Sequence, residues 1–440
     1  MNTIILLLFF LTFLVISIIN FKKETNIESF VLADRNKSSF LIAASIFASV
    51  LGASATVGVV ELACKEGLQS IWWLLSGVVG LTICGALLGK KIINQNLYTL
   101  TGLVDLYFGI VAKKIVSLLV YIAWCSVVSA QFIAASLLVS SFTNLPYNYT
   151  LVFLSIYIVA LCLVGGQRVI LKSDLVQFFI IIVGLISVSL YLWIFKKDLG
   201  EKPIQVDILT GNFKLVSMLY YLVVVGSGFV IGPDIFSRLF SAGSKKAATT
   251  SPMIAALFLF IVNIFIVLIG LWARKNHIES SGENSILYQI MNHHLPYPLK
   301  LLLALTMLST ILSSANTCII SASTIFATDF LEKKSVIAIR ICGAILSLIA
   351  ILIALLNTSI IKLLLISYSL FNIGVVPPLF VALLIAPKRR QYKAASITAM
   401  VIGSACGLAS TLMGRPTIAL IGFCLSFLIS LFSYKNRPSS

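Results

Sequence analysis

Apolar runs of about twenty residues, each closed by Lys, Arg, Pro, Gly or Asn, recur from one end of this 440-residue chain to the other. A helix of that length crosses the hydrocarbon core of a bilayer. Only 11% of the residues are charged and 59% are hydrophobic, whereas soluble domains average about 25% charged. The sequence therefore predicts an all-α polytopic membrane protein. Spans are expected at 3–20, 40–64, 69–89, 115–141, 149–165, 173–195, 214–237, 252–273, 299–328, 335–356, 360–386, 394–413 and 416–434, about thirteen transmembrane helices.

Charge placement orients them. The first run is followed by Lys22 and Lys23 and lacks the preceding charge and the cleavage site of a signal peptide. It reads as an uncleaved helix with its N-terminus outside. That orientation puts 22 of the 32 Lys and Arg residues in cytoplasmic loops, among them Arg35, Lys37, Lys113, Arg168, Arg238, Lys388 and Arg437. The opposite orientation reverses the ratio, so the positive-inside rule selects this one. It implies a multi-pass plasma (inner) membrane protein with a cytoplasmic C-terminus. The net charge of +17 then reflects these loops and does not call for nucleic acid.

The longest polar stretches lie near 90–114, 196–213 and 274–298. The first contains NLYTLTGLVDLYFG, expected as a short helix along the inner surface. The third holds His277, His293 and His294, read as solvated loop residues. Eight cysteines are scattered through apolar segments without a CxxC pair, as small buried hydrophobes. The spans carry no His–Asp pair, Cys–His arrangement or metal-ligand cluster, so no enzyme is expected. No obligate protein partner is evident. Lipid and a small organic solute are the expected partners.

Two spans are interrupted. Residues 48–58, ASVLGASATVG, place Gly52, Ser54, Thr56 and Gly58 in an apolar helix, and 223–233, VVVGSGFVIGP, place Gly226, Ser227, Gly228, Gly232 and Pro233 in another. Unwound backbone is tolerated in a membrane only where protein or a wet cavity satisfies it. These are the second and seventh spans, five apart. Five is odd, so the second group of five enters from the opposite side, the arrangement of an inverted-repeat transporter. The expected organisation is an extra N-terminal helix and loop at 1–39, one five-helix unit at 40–213, its inverted partner at 214–392, and two C-terminal helices at 393–440.

The span at 301–330 is crowded with small polar residues. Thr310, Ser313, Ser314 and Thr317 share one helical face. Such residues either glue helices together or line a wet site. Neutral oxygens stacked at membrane depth suit a weakly held monovalent cation.

Four stretches resemble the sodium:solute symporter family: ASVLGASATVGVVELACKEGLQSIWW (48–73), KSDLVQFFIIIVG (172–184), GPDIFSRLFSAGSKKAA (232–248) and LSTILSSANTCIISASTIFATDF (308–330). The resemblance covers about residues 30–390. It implies a leucine-transporter-type five-plus-five core and sodium-coupled symport. It also implies a sodium ion held by the carbonyls of Ala48, Leu51 and Thr310 and the hydroxyls of Ser313 and Ser314. Asp174 matches an acid that in some members serves a second sodium or ion release. The accompanying positions here are Asn316 and Thr317, where two serines would be the closer match.

The solute is expected between the interrupted helices, against Gly52, Ala53, Ser54, Ala55 and Thr56 on one and Gly226, Ser227, Gly228 and Phe229 on the other. Trp72, Trp73, Trp124, Gln131 and Phe132 are further candidates. The sugar branch of the family carries an acid–amide pair where this chain has Ser54 and Ala55, so an amino acid or carboxylate is expected ahead of a sugar. Glu61 either meets a cationic part of the solute or pairs with Lys65 one turn on. A proton-coupled carrier, titrating at Asp174 or Glu61, and a solute sensor without transport are the alternatives.

Overall fold

The computed structural model describes residues 2–20, 26–93, 97–143, 145–196, 215–278, 285–356, 360–385, 389–391 and 393–436. The expected loop at 196–213 lies almost wholly outside these residues, as do Lys22, Lys23, Lys388 and Arg437 and the unit boundaries at 213–214 and 392. Among the described residues, nine helices are long and apolar enough to cross a membrane, and three shorter apolar helices accompany them. Among the described residues the regular structure is helical apart from one antiparallel ribbon, Arg389–Gln391 against Tyr434–Asn436. It is a multi-pass membrane protein.

Burial ranks the helices. In Tyr297–Phe330 the apolar window is 94% buried, and in Ile110–Thr143 it is 83% buried, against 39% in Val336–Leu356. The polar-rich helix is therefore the axis of the bundle, and the uniformly apolar ones face outward. It packs against Tyr147–Phe195, Ile110–Thr143 and Ser39–Val50. A membrane rewards this distribution, because hydroxyls and amides need protein partners that lipid cannot supply.

Both interruptions are present. Ser39–Val50 ends where Leu51 turns to φ −89°, ψ 67°. The chain restarts through a wide π-type turn at Ser54–Gly58 and continues as Val59–Glu66. In the second, Leu222–Gly226 is another wide turn, Ile231 and Gly232 are extended, and Pro233–Leu239 begins with Pro at its first position, where proline's missing N–H costs nothing.

The expected cytoplasmic loop between spans 149–165 and 173–195 shrinks to one residue. Helix Tyr147–Phe195 reverses its backbone at Gly166 (φ 61°, ψ −171°) and resumes immediately. A Cβ there would stand 2.7 Å from the Phe30 ring, so both the angle and the contact require glycine. Arg168 consequently lies on a helix and pairs with Asp34.

The helix expected near 90–114 is Leu100–Phe108, capped by Thr99 and stopped at Gly109. Around it lies a polar node. Thr99 and Thr101 each donate to Asp329 Oδ2 at 2.5 Å. Lys113 reaches Asp105 at 3.1 Å and Asp329 at 3.7 Å. Arg35 donates to the Leu97 carbonyl and pairs with Glu28.

Candidate functional site

The hydroxyls of the axial helix divide into two groups. Thr310, Thr317, Ser321 and Ser323 donate to carbonyls of their own helix, the ordinary way to hide a hydroxyl in a membrane helix. Ser313 and Ser314 reach across instead. Ser314 donates to the Ser49 carbonyl at 2.6 Å, on the last turn before the first interruption. Ser313 donates to Asp174 Oδ1 at 2.7 Å. Each has committed its proton and keeps its oxygen lone pairs for another partner.

The backbone beside them is short of donors. The last carbonyls of a helix have no intrahelical N–H, and Ala48 lies in that turn of Ser39–Val50, with Leu51 just beyond it. Ala48, Leu51, Thr310 and Ser313 are completely buried and Ser314 nearly so. The Ser314 bond to the Ser49 carbonyl joins the two helices here, and neutral oxygens of this kind are the donor type that suits a hard monovalent cation. Among the described residues no group of three His, Cys, Asp or Glu side chains forms a metal site of another kind.

Asp174 is enclosed. Ser45 and Ser313 donate to it, and Arg238 Nη2 approaches its Oδ2 at 3.1 Å, both side chains being 0% exposed. Arg238 also donates from Nε to Ser45 Oγ at 2.8 Å and from Nη2 to Thr317. Arg238 is thus not the solvated loop cation that its place in the sequence suggests. The chain turns inward at Gly232–Pro233, and the short helix that follows drives the guanidinium beneath the bundle. The sequence signal was Asp174 itself, because a buried acid requires a base. Lys172 and Arg168, the nearer basic residues in sequence, do not take that role. Asn316 points its Oδ1 at no hydrogen-bond partner among the described residues.

A small cavity opens beside this constellation. Gly52, Ser54, Gly228 and Phe229 line it, as do Trp124 and Gln131. Gln131 Oε1 accepts the Ala53 N–H at 3.0 Å, tying off the broken helix. A Cβ on Gly52 would stand 2.8 Å from Gln131 Nε2 and 3.0 Å from Ser314 Oγ.

Other expected residues are not on its wall. Ala55 and Thr56 turn back to bond the Gly52 carbonyl. Gly226 packs against the backbone of Ser76, and Ser227, just past the wide turn, donates back to the Val223 carbonyl within it. Both line a separate, largely apolar cavity with Gly80 and Phe427. Trp72, Trp73 and Phe132 also lie off the wall, and Trp73 stacks edge-on with Tyr221 at 5.3 Å. Sequence reasoning missed Asp234, Cys318, Tyr368 and Asn372 on the wall. Glu61 and Lys65 form no ion pair among the described residues.

The profile of the sodium:solute symporter family matches residues 30–403. A sodium/pantothenate symporter of Haemophilus influenzae is 23% identical over 359 residues, covering 76% of this chain and 73% of that protein. Its counterpart from Escherichia coli is 25% identical over 168 residues, 36% of this chain and 34% of that protein. Among solved structures, a substrate-bound, outward-open Na+-coupled sialic acid symporter superposes with a TM-score of 0.83 at 14% identity, covering 100% of this chain and 99% of the other. A nucleobase-cation-symport-1 transporter in a closed conformation gives 0.66 at 12% identity over 92% and 93%.

Proposed function

Because this chain belongs to the sodium:solute symporter family, with Na+ as coupling ion, we propose that it imports a small organic solute by sodium-driven alternating access. Amino acids and carboxylates are the favoured solutes. The proposed organisation is thirteen spans with an extra first helix, inverted units at 40–213 and 214–392 and two C-terminal helices, in the plasma membrane with the N-terminus outside.

One observation carries the reading. The interrupted helix around Leu51 and Gly52 is a wall of both places where ligand is expected. Ser314 donates to its Ser49 carbonyl and also lines the cavity with Val50 and Gly52. An ion bridging the Ala48 and Leu51 carbonyls to Ser313 and Ser314 would fix the shape of that wall. The solute then binds a surface already ordered by sodium, and by reciprocity it tightens sodium. The membrane potential adds about 2.3 kcal/mol per charge per 100 mV.

The reading assigns one sodium. Arg238 Nη2 lies between Asp174 and Thr317, the two groups that a second cation would use with Asn316. The guanidinium supplies that positive charge permanently. Asp174 then serves release of the single ion, offering its carboxylate through Ser313.

The test is uptake into liposomes under an imposed sodium gradient, wild type beside Ser313→Ala/Ser314→Ala. Sodium-driven accumulation abolished in the double variant is expected. Uptake indifferent to sodium and to the variant would leave a proton-coupled or uncoupled carrier.

A further inference from the structure

We infer that Asp234 selects the solute, and that the solute carries a protonated amine. This rests on the proposed function for the location of the solute site and deepens it. Among the residues lining the cavity, Asp234 is the one charged side chain, and no Lys, Arg or His shares the described wall. Its carboxylate forms no ion pair among the described residues. Arg238, one turn along, lends its positive charge to Asp234 but spends most of its donors on other groups. Its Nη2 and Nε serve Asp174, Thr317 and Ser45, and only Nη1 turns toward Asp234, to the main-chain oxygen at 3.4 Å.

An acid in the first turn of Pro233–Leu239 also favours the start of that helix, near the N–H groups of Asp234 and Ile235. That does not account for its place on a cavity wall at membrane depth. An ionised carboxylate there is costly unless it meets a cation. The wall supplies the rest of an ammonium site. Trp124, Phe229 and Tyr368 bring three aromatic rings to the same cavity, and ring faces attract cations. Asn372 donates its Nδ2 to the Val224 carbonyl at 2.6 Å and keeps Oδ1 as an acceptor near Gly228.

A second, independent feature points to the other end of the solute. Trp124 is 4% exposed, and its Nε1 faces only the Cys318 thiol, a weak acceptor that a solute oxygen would readily replace. Gln131 likewise spends its Oε1 on Ala53 and leaves Nε2 over Gly52. Two N–H donors and one carboxylate in a single cavity match a small zwitterion, such as an amino acid or a related amine. A carboxylate lacking an amine would meet Asp234 as a like charge.

The test uses purified full-length protein with the common L-amino acids and small amines, each paired with the analogue whose amino group is replaced by hydroxyl. Binding is read as thermal stabilisation with and without sodium, then as uptake in liposomes. Amine-bearing compounds are expected to bind and their hydroxyl partners to fail. Asp234→Asn should weaken binding about ten- to a hundredfold, the range for a hydrogen bond to a charged group. Trp124→Phe should weaken carboxylate-bearing amines and spare simple amines. Sodium stabilisation retained in both variants certifies their fold. A hydroxyl analogue that binds as tightly as its amine, failure of every amine to bind, or an unchanged affinity in Asp234→Asn overturns the inference. Amine-selective binding that is indifferent to sodium leaves Asp234 in its role and overturns the coupling instead.

Discussion

Replacing Arg238 by Gln should destabilise the protein more than any surface charge change, and the structure sets the size. Arg238 and Asp174 are both 0% exposed and 3.1 Å apart. Removing one member of such a pair strands the other, a cost of about 3–5 kcal/mol. In Arg238→Gln, Asp174 keeps only the hydroxyls of Ser45 and Ser313. Asp174→Asn alone should cost a similar amount by stranding the guanidinium. The double variant removes both charges, and its cost should fall well below the sum, with a coupling energy of about 3 kcal/mol. Equilibrium unfolding in mixed micelles across the four proteins measures this. Sodium titration of the same samples adds a functional reading, since loss of the positive charge should tighten sodium in Arg238→Gln. A coupling below about 1 kcal/mol, the value for exposed pairs, would refute the buried pair and with it the guanidinium in place of a second sodium.

Gly52→Ala should cut uptake at least about tenfold with little loss of fold, because the added Cβ meets Gln131 and Ser314 between the proposed ion and solute positions; unchanged sodium and solute affinity would separate that glycine from both. Gln131→Leu should weaken solute and sodium together by releasing the Ala53 N–H, read as parallel shifts in the two titrations. His294 packs edge-on to Trp272 at 5.2 Å, and burial, then His293 and Lys196, hold its pKa below the usual imidazole value. Its contribution is therefore fully present above about pH 6.5 and lost as pH falls below it. Thermal melts of His294→Gln should be flatter than wild type between about pH 5 and 7.

The helical class was legible because lipid demands long apolar runs. The two interruptions were legible because Gly and Pro have few other uses inside a span. Ser313 and Ser314 could be picked out by spacing, but not told apart from Thr310 or Ser321 in bonding. That distinction depends on which hydroxyls face another helix, a matter of rotation in the bundle. Arg238 misled for a related reason. Counting charges by loop assumes that a basic residue after a span is solvated, and here the backbone folds under. Asp234 was hidden in the same way, directly after a glycine and a proline that drew attention to the backbone rather than to the acid. Ala55, Thr56, Gly226 and Ser227 lie on the interrupted segments as expected, yet the wide turns rotate them away from the cavity.

The clasp on Asp329 gives the axial helix a mechanical character. Ser314 and Asp329 lie about 22 Å apart along it, at 1.5 Å per residue. A tilt of about 5° about the ion end would swing the far end by about 2 Å, and a hydrogen bond is gone after a stretch of less than about 1 Å. The Thr99 and Thr101 bonds therefore act as a detent on a lever. They hold through small fluctuations and let go together. Thr99→Val/Thr101→Val should therefore change the turnover rate of uptake and leave solute affinity unchanged.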